Sequence, residues 1–342
     1  MNEMISQPSL SATTKPLRLG FLGVGWIGRH RMEAILSSGA GMAIAFADAS
    51  PEMAAEAQKV APQAAVVASL DELLSHDLDG VVIATPSAQH AAQSIQALEA
   101  GVAVFCQKPL GRDVNEVEAV VAAAKRADRL LGVDLSYRYT EGMRQIRDLL
   151  RSGELGHVYA ADLVFHNAYG PDKPWFYDKT LSGGGCVMDL GIHLTDLALW
   201  ALDFPEIKSV ASQLFHQGQR ISGTTSQVED FATATIELAN GSVVRLTCSW
   251  RLQAGCDAII GASFFGTSGG VEMRNTNGSF YDFTTKRYRG TAREPLVMPP
   301  EDWGGRAAVD WTRRLGAGTR FDPACNEFIE TAKTIDAIYG AA

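Results

Sequence analysis

The sequence predicts an α/β fold in two parts: a doubly wound parallel sheet, then an α+β domain with a large open, mostly antiparallel sheet. Three observations predict it. Short unbroken apolar runs alternate with helical stretches as far as about Ser136. A glycine-rich turn, Gly23-Val24-Gly25-Trp26-Ile27-Gly28, joins the first such run to the first helix. Beyond about Gly153 the apolar residues instead alternate one by one, around Asn-Gly pairs.

In the first part, Leu17–Gly23, Met42–Asp48, Val81–Ala84, Ala103–Cys106 and Leu130–Leu135 read as strands. Runs this apolar need cover on both faces, as a parallel sheet has. The helices between them are Trp26–Leu36, Glu52–Val60, Ala88–Glu99 and Val114–Ala127. Ser69 and Asp113 each precede a Glu by three residues, the mark of a helix start. In the second part, strands are expected at His157–Asn167, Ile207–Phe215 and Ala258–Phe265. Phe231–Leu238 and Val243–Trp250 flank Asn240-Gly241 as a hairpin, and Asn277-Gly278 suggests a second turn before Phe280–Phe283. A helix runs from the Gly183–Asp196 stretch to about Leu202, and Asn326–Ala337 closes the chain. One face of the second sheet should pack on helices, leaving the other for a subunit contact.

The chain has 342 residues, 46% hydrophobic and 20% charged, which suits two globular domains. A net charge of −9 argues against nucleic acid as a partner. No run has the length of a membrane helix. Five scattered cysteines without a C-x-x-C fit a reducing compartment. Residues 1–15 are polar and lack the apolar core of a secretory signal, so a disordered tail and a cytoplasmic location are expected.

The glycine turn has a mechanical reading. Gly23 permits a tight turn, Gly25 lets backbone approach a pyrophosphate, and Gly28 lets the helix pack on its strand. The helix start offers free N–H groups to phosphates. Asp48 ends the next strand about twenty residues on. It suits a ribose diol and repels a 2′-phosphate, which favours NAD over NADP. The alternative is an ordinary Gly-rich turn with Asp48 as a helix cap.

Ligands of parallel sheets gather at strand carboxyl ends, here Gly23, Asp48, Thr85-Pro86 and Gln107-Lys108-Pro109. Lys108 then faces the nicotinamide end, where its ammonium can stabilise a developing oxyanion. Thr85, Pro86 and His90 wall the cofactor cleft. Asp189 and His193 are four residues apart on a mostly apolar helix, with Asp196 beyond them. Such a polar stripe is costly unless it is paired or lines a cleft. His193 suits a base that removes a hydroxyl proton. Asp189 either orients it or binds substrate, and Asp196 supports the imidazole from behind. The alternative is a buried structural His satisfied by Asp196. The glycines at 183–185 allow close backbone approach or supply open N–H groups. Trp175 and Tyr177 offer sugar-stacking rings, and His166, Asn167 and Asp172 suit a hydroxyl-rich ligand. No metal is expected, since Asp189 and His193 lack further ligands.

These residues together resemble the Gfo/Idh/MocA oxidoreductases, the glucose–fructose oxidoreductase and inositol dehydrogenase family. The resemblance covers nearly all of the chain after Lys15. It implies a dinucleotide-binding Rossmann domain over 16–136 and a substrate-binding, oligomerising α+β domain over 137–342. It also implies NAD(P)-dependent oxidation or reduction of a sugar, inositol or related polyol, by dimers or tetramers built on the second sheet. Lys108, Asp189 and His193 match the family's catalytic set. Gly23, Gly25, Trp26, Ile27, Gly28, Asp48, Thr85, Pro86, His90, Gln107 and Lys108 fall to the cofactor. Lys108, His166, Trp175, Asp189 and His193 fall to the substrate. Two positions depart from the pattern: Gln107 stands where the family usually has Glu, and Ser87 where it often has Asn. The same fold also serves non-catalytic dinucleotide-binding regulators and reductases of dihydrodiols or tetrapyrroles.

Overall fold

Parallel strand pairing organises the first half of the chain in the computed structural model, which describes residues 16–340. The tail expected over 1–15 lies outside the described residues. Six strands, β1 (Leu17–Leu22), β2 (Gly41–Ala47), β3 (Ala65–Val66), β4 (Gly80–Ile83), β5 (Ala103–Cys106) and β6 (Leu131–Val133), form a sheet in the order β3-β2-β1-β4-β5-β6. The helices between them are α1 (Trp26–Ser37), α2 (Pro51–Val60), α3 (Leu70–Leu74), α4 (Ser87–Glu99) and α5 (Val114–Ala127). The strand order reverses beside β1, which opens a crevice at the strand carboxyl ends. Both anticipated helix starts are capped: the Ser69 hydroxyl accepts from the Glu72 N–H, and Asp113 from that of Glu116.

Next come α6 (Glu141–Ser152), β7 (Val158–Asn167), the single turn α7 (Lys179–Ser182), a π-helical turn (Val187–Gly191) and α8 (Ile192–Ala201). The remaining strands are β8 (Ile207–His216), β9 (Gln219–Ile221), β10 (Phe231–Leu238), β11 (Val243–Ser249), β12 (Ala258–Gly266), β13 (Gly270–Asn275), β14 (Phe283–Arg289) and β15 (Ala292–Val297). They form one sheet with β7, ordered β15-β14-β13-β12-β7-β11-β10-β8-β9. Only β7 and β11 run parallel within it. Asn240-Gly241 does close the β10–β11 hairpin, with Gly241 at φ +87°. Asn277-Gly278 also turns the chain, between β13 and β14, but β14 begins only at Phe283, so Phe280 and Tyr281 lie in the connecting loop. Every residue of α8 is buried, against the inner face of this sheet.

Two helices end the described chain, α9 (Arg306–Gly316) and α10 (Asn326–Gly340). Both reach back to the first sheet. Ala307, Ala308 and Trp311 of α9 join the core beneath it, and α10 packs on α5. Gly80 and Gly132 leave the slot that the Trp311 ring fills. A Cβ on either would lie 2.6 or 2.7 Å from the indole.

Candidate active site

A continuous cleft of about 1450 Å³ runs from the crevice of the first sheet to the inner edge of the second. Its first end is built by the glycine turn. Gly23 has φ +81°, and a Cβ there would strike the Ala84 carbonyl at 2.6 Å. A Cβ on Gly28 would lie 2.0 Å from the Gly23 oxygen. One on Gly25 would meet nothing within 4 Å, because that position faces open cleft. No side chain caps the start of α1, so its first N–H groups are open. This open glycine and uncapped helix fit a pyrophosphate. Asp48 accepts from the Val24 N–H at 2.7 Å and from the Ser50 N–H at 2.8 Å. Each carboxylate oxygen keeps a lone pair for a ribose hydroxyl.

Thr85, Pro86, His90, Gln107 and Lys108 all border this cleft, with Trp26 and Ile27 above the turn. His90 acts through the main chain. Its Nδ1 lies 2.6 Å from the Pro109 oxygen and its Nε2 2.7 Å from that of Thr85, so the ring ties the ends of β4 and β5 together. Burial pushes its pKa below 6.5. Gln107 donates from Nε2 to Asp134 Oδ2 at 2.8 Å, and the same oxygen accepts from Arg31 Nε at 2.6 Å. Asp134 follows the end of β6 and is buried. An acidic group therefore stands beside Gln107, one strand over. Its place at a strand carboxyl end was the available sequence signal. Gln107→Glu is expected to set two carboxylates against each other and cost about 2 kcal/mol. A fall in Tm of roughly 4 °C would register it. The double variant Gln107→Glu/Asp134→Asn should recover that loss in the same thermal melt.

The chemical groups meet at the middle of the cleft. Lys108 Nζ donates to Asp189 Oδ1 at 2.7 Å and to the Asp189 main-chain oxygen at 2.8 Å. That leaves the ammonium one donor. Trp250 Nε1 donates to Asp189 Oδ2 at 3.0 Å. His193 borders the same cleft and is 8% exposed, its ring held edge-on against Tyr137 at 4.9 Å. No protein group among the described residues hydrogen-bonds its nitrogens. Burial, the Lys108 ammonium and the Arg31 guanidinium hold its pKa well below 6.5, so the ring is neutral and able to accept a proton.

Asp189 sits in the π-helical turn and His193 in the first turn of α8. Such wide turns recur at functional sites because they re-aim side chains. The glycines before it allow close approach by other parts of the chain, and Gly184 also borders the cleft. A Cβ on Gly184 would meet the Tyr339 hydroxyl at 1.8 Å, and one on Gly185 the Glu229 main-chain oxygen at 2.0 Å. The N–H groups of Gly185 and Val187 donate to Glu229 Oε1 at 3.0 and 2.9 Å. The Tyr339 hydroxyl donates to the same oxygen at 2.9 Å. Burial still raises the Glu229 pKa against these donors. The open N–H groups expected here are thus occupied.

Two further expectations are corrected. Asp196 does not support His193. It takes Nε and Nη2 of Arg138 at 2.8 and 2.5 Å in a buried ion pair that also includes Glu327. His166 is not in the cleft. Residues of a strand alternate between faces, and Phe165 takes the inner one. His166 points outward, 2.8 Å from the Ser249 hydroxyl and stacked on Phe231. Trp175 and Asp172 line the cleft. Tyr177 instead donates to the Pro171 oxygen, and Asn167 accepts from the Tyr169 N–H. Sequence reading missed Tyr137, Trp250, Trp303, Arg31, Asp134 and Glu229. Trp250, at the end of an alternating strand, had a signal; Glu229 had none. Among the described residues no cluster of metal-ligating side chains occurs, and no helix is long and apolar enough to cross a membrane.

Comparison with known proteins follows the same division. Residues 17–135 match the family described as "Oxidoreductase family, NAD-binding Rossmann fold", and residues 143–272 match "GFO/IDH/MocA C-terminal domain". Inositol 2-dehydrogenase of Leifsonia xyli subsp. xyli is 30% identical over 257 residues, covering 74% of this chain and 72% of the relative. D-glucoside 3-dehydrogenase of Escherichia coli (strain K12) is 31% identical over 211 residues, 59% of this chain and 60% of the relative. Levoglucosan dehydrogenase, solved with NADH and levoglucosan, shares the fold with a TM-score of 0.82 at 20% identity, over 96% of this chain and 97% of that one.

Proposed function

Because the chain belongs to the Gfo/Idh/MocA oxidoreductase family, we propose that it interconverts a hydroxyl and a carbonyl on a sugar, inositol or related polyol, with NAD as its cofactor. The observation that carries the reading is one cleft bordered by both His193, whose nitrogens meet no protein hydrogen-bond partner among the described residues, and an ammonium held by Asp189. Lys108 and His193 flank the reacting oxygen. His193 accepts the hydroxyl proton, and Lys108 donates a hydrogen bond to the oxygen as negative charge grows on it. Asp189 keeps the ammonium aimed, and Trp250 fixes the second oxygen of Asp189. Tyr137 holds the imidazole plane. NAD, when bound, supplies the hydride acceptor. Its holders are Gly23, Gly25, Trp26, Ile27, Gly28 and Asp48 at one end and Thr85, Pro86, Gln107 and Lys108 at the other, with His90 behind them. Trp175 serves the substrate.

The cofactor domain takes in 16–136 and the substrate domain 137–342, with α9 returned to the former. Val164, Phe231, Ile259 and Phe265 lie on the outward face of the second sheet, which suits a second copy of the chain. The five cysteines carry free thiols, which supports a cytoplasmic setting.

The test is NADH formation across aldoses, inositols, deoxy-sugars and sugar acids, with NAD and NADP in parallel. Asp48 has Ala49-Ser50-Pro51 after it and no Arg. The kcat/KM ratio should therefore favour NAD by about tenfold or more, at least ~1.4 kcal/mol. Asp48→Ser should collapse that ratio. Preference for NADP in the unaltered protein would overturn the assignment, and silence across the panel with NAD bound would overturn the sugar reading.

A further inference from the structure

Two aromatic walls lead from the rim of the cleft to the reacting groups. On one, Tyr281 neighbours Trp303 at 6.5 Å, Trp303 neighbours Tyr137 at 4.8 Å, and Tyr137 meets His193 at 4.9 Å. On the other, Trp175 stacks on Phe176, and Phe176 meets the Trp250 ring edge-on at 6.4 Å. Trp250 in turn bonds Asp189. The first wall sets Tyr281, Trp303, Tyr137 and His193 in succession, and Tyr281 at its rim is 54% exposed. Aromatic faces bind the C–H face of a sugar and equally an apolar substituent.

The charges of the cleft point the same way. Its lysines and arginines are Arg31, Lys108 and Lys173 among the described residues. Arg31 is bonded to Asp134, Lys108 to Asp189, and Lys173 lies 3.3 Å from Asp172. At the rim Glu301 is paired with Arg306, while Asp302 has no ion-pair partner among the described residues. Phosphate is recognised by unpaired, preferably bidentate cations. Beside the reacting groups, away from the start of α1, a substrate phosphate would meet cations already held by carboxylates, with the exposed Lys173 loosely paired at the rim.

We infer that the substrate is an uncharged glycoside, with its sugar ring at Lys108 and His193 and an apolar aglycone along Trp303 and Tyr281. Phosphorylated and nucleotide-linked sugars should serve less well. This rests on the sugar-oxidoreductase reading above.

The experiment uses the full chain with saturating NAD. Matched hexoses in several configurations are compared as the free sugar, methyl glycoside, phenyl glycoside, 6-phosphate and nucleoside diphosphate derivative. Initial rates are measured beside equilibrium binding by tryptophan fluorescence. KM for the phenyl glycoside should be about tenfold below that of the methyl glycoside. Both charged forms should be about a hundredfold poorer in kcat/KM than the methyl glycoside, with binding weakened in parallel. Tyr281→Ala should raise KM for the phenyl glycoside about tenfold and raise that for the methyl glycoside far less. Preference for a phosphate, a nucleotide sugar or a cationic amino sugar would overturn the inference and leave the sugar reading standing. So would a phenyl glycoside no better than the methyl one. Absence of both turnover and binding across this series would overturn the inference, and the sugar or polyol reading falls with it only if the inositols and other polyols of the wider panel are silent too.

Discussion

Lys108→Ala is expected to lower kcat by about 10²–10³-fold while NAD still binds. In the role proposed for it the ammonium donates to the oxygen only as charge develops there, so its loss falls on the chemical step more than on binding. His193→Ala should cost about 10²–10⁴-fold for want of a base. The pH profile separates the two roles. In the unaltered protein burial, Lys108 and Arg31 hold His193 well below 6.5. The base is then neutral at pH 7, and kcat/KM for oxidation should fall only on the acid side of 6.5. Removing the Lys108 charge relieves part of that depression, so the acid limb should move to higher pH in Lys108→Ala. In His193→Ala it should vanish. Full activity in both variants, or an acid limb in the unaltered protein well above 6.5, would reject these assignments.

The second large effect separates two glycines three residues apart. Gly28→Ala drives a methyl to 2.0 Å from a main-chain oxygen, and neither α1 nor β1 can yield without disturbing the first sheet. A loss of about 3 kcal/mol or more is expected, seen as poor soluble yield or a large fall in Tm. Gly25→Ala meets no protein atom within 4 Å. Its Tm should stay within a degree or two of the parent, while Kd for NAD rises by about tenfold or more, measured by calorimetry. An unchanged Kd would mean that the open face at Gly25 is not where the pyrophosphate lies.

The fold was largely legible because its signals are local. The Gly23–Gly28 turn, the capped starts at Ser69 and Asp113, and the Asn240-Gly241 hairpin each act within a few residues. The meeting of Lys108 with Asp189 was reached only through the resemblance, since those residues are 81 positions apart. What stayed hidden depends on long-range pairing. Glu229 gives no local sign that it holds the turn carrying Asp189, and Arg138 none that it claims Asp196. His166 was misplaced by one residue of strand phase, which turns a side chain from cleft to open face. The glycines from 183 to 185 read from sequence as allowing close approach or supplying open N–H groups; close approach is what they allow, and its partners Tyr339 and Glu229 lie too far along the chain to be read.

The seating of Trp311 between Gly80 and Gly132 sets a schedule for synthesis. Strands β1 to β6 are complete by Val133, but the part of the sheet's underside that α1 and α2 do not reach stays uncovered until α9 has left the ribosome. At about 5–20 residues per second, the intervening 178 residues take roughly ten to forty seconds to emerge. For that interval the nascent first domain presents Phe105 and two bare glycine slots to solvent. Chaperone occupancy should be greatest then, and chains released before residue 311 should aggregate through this surface.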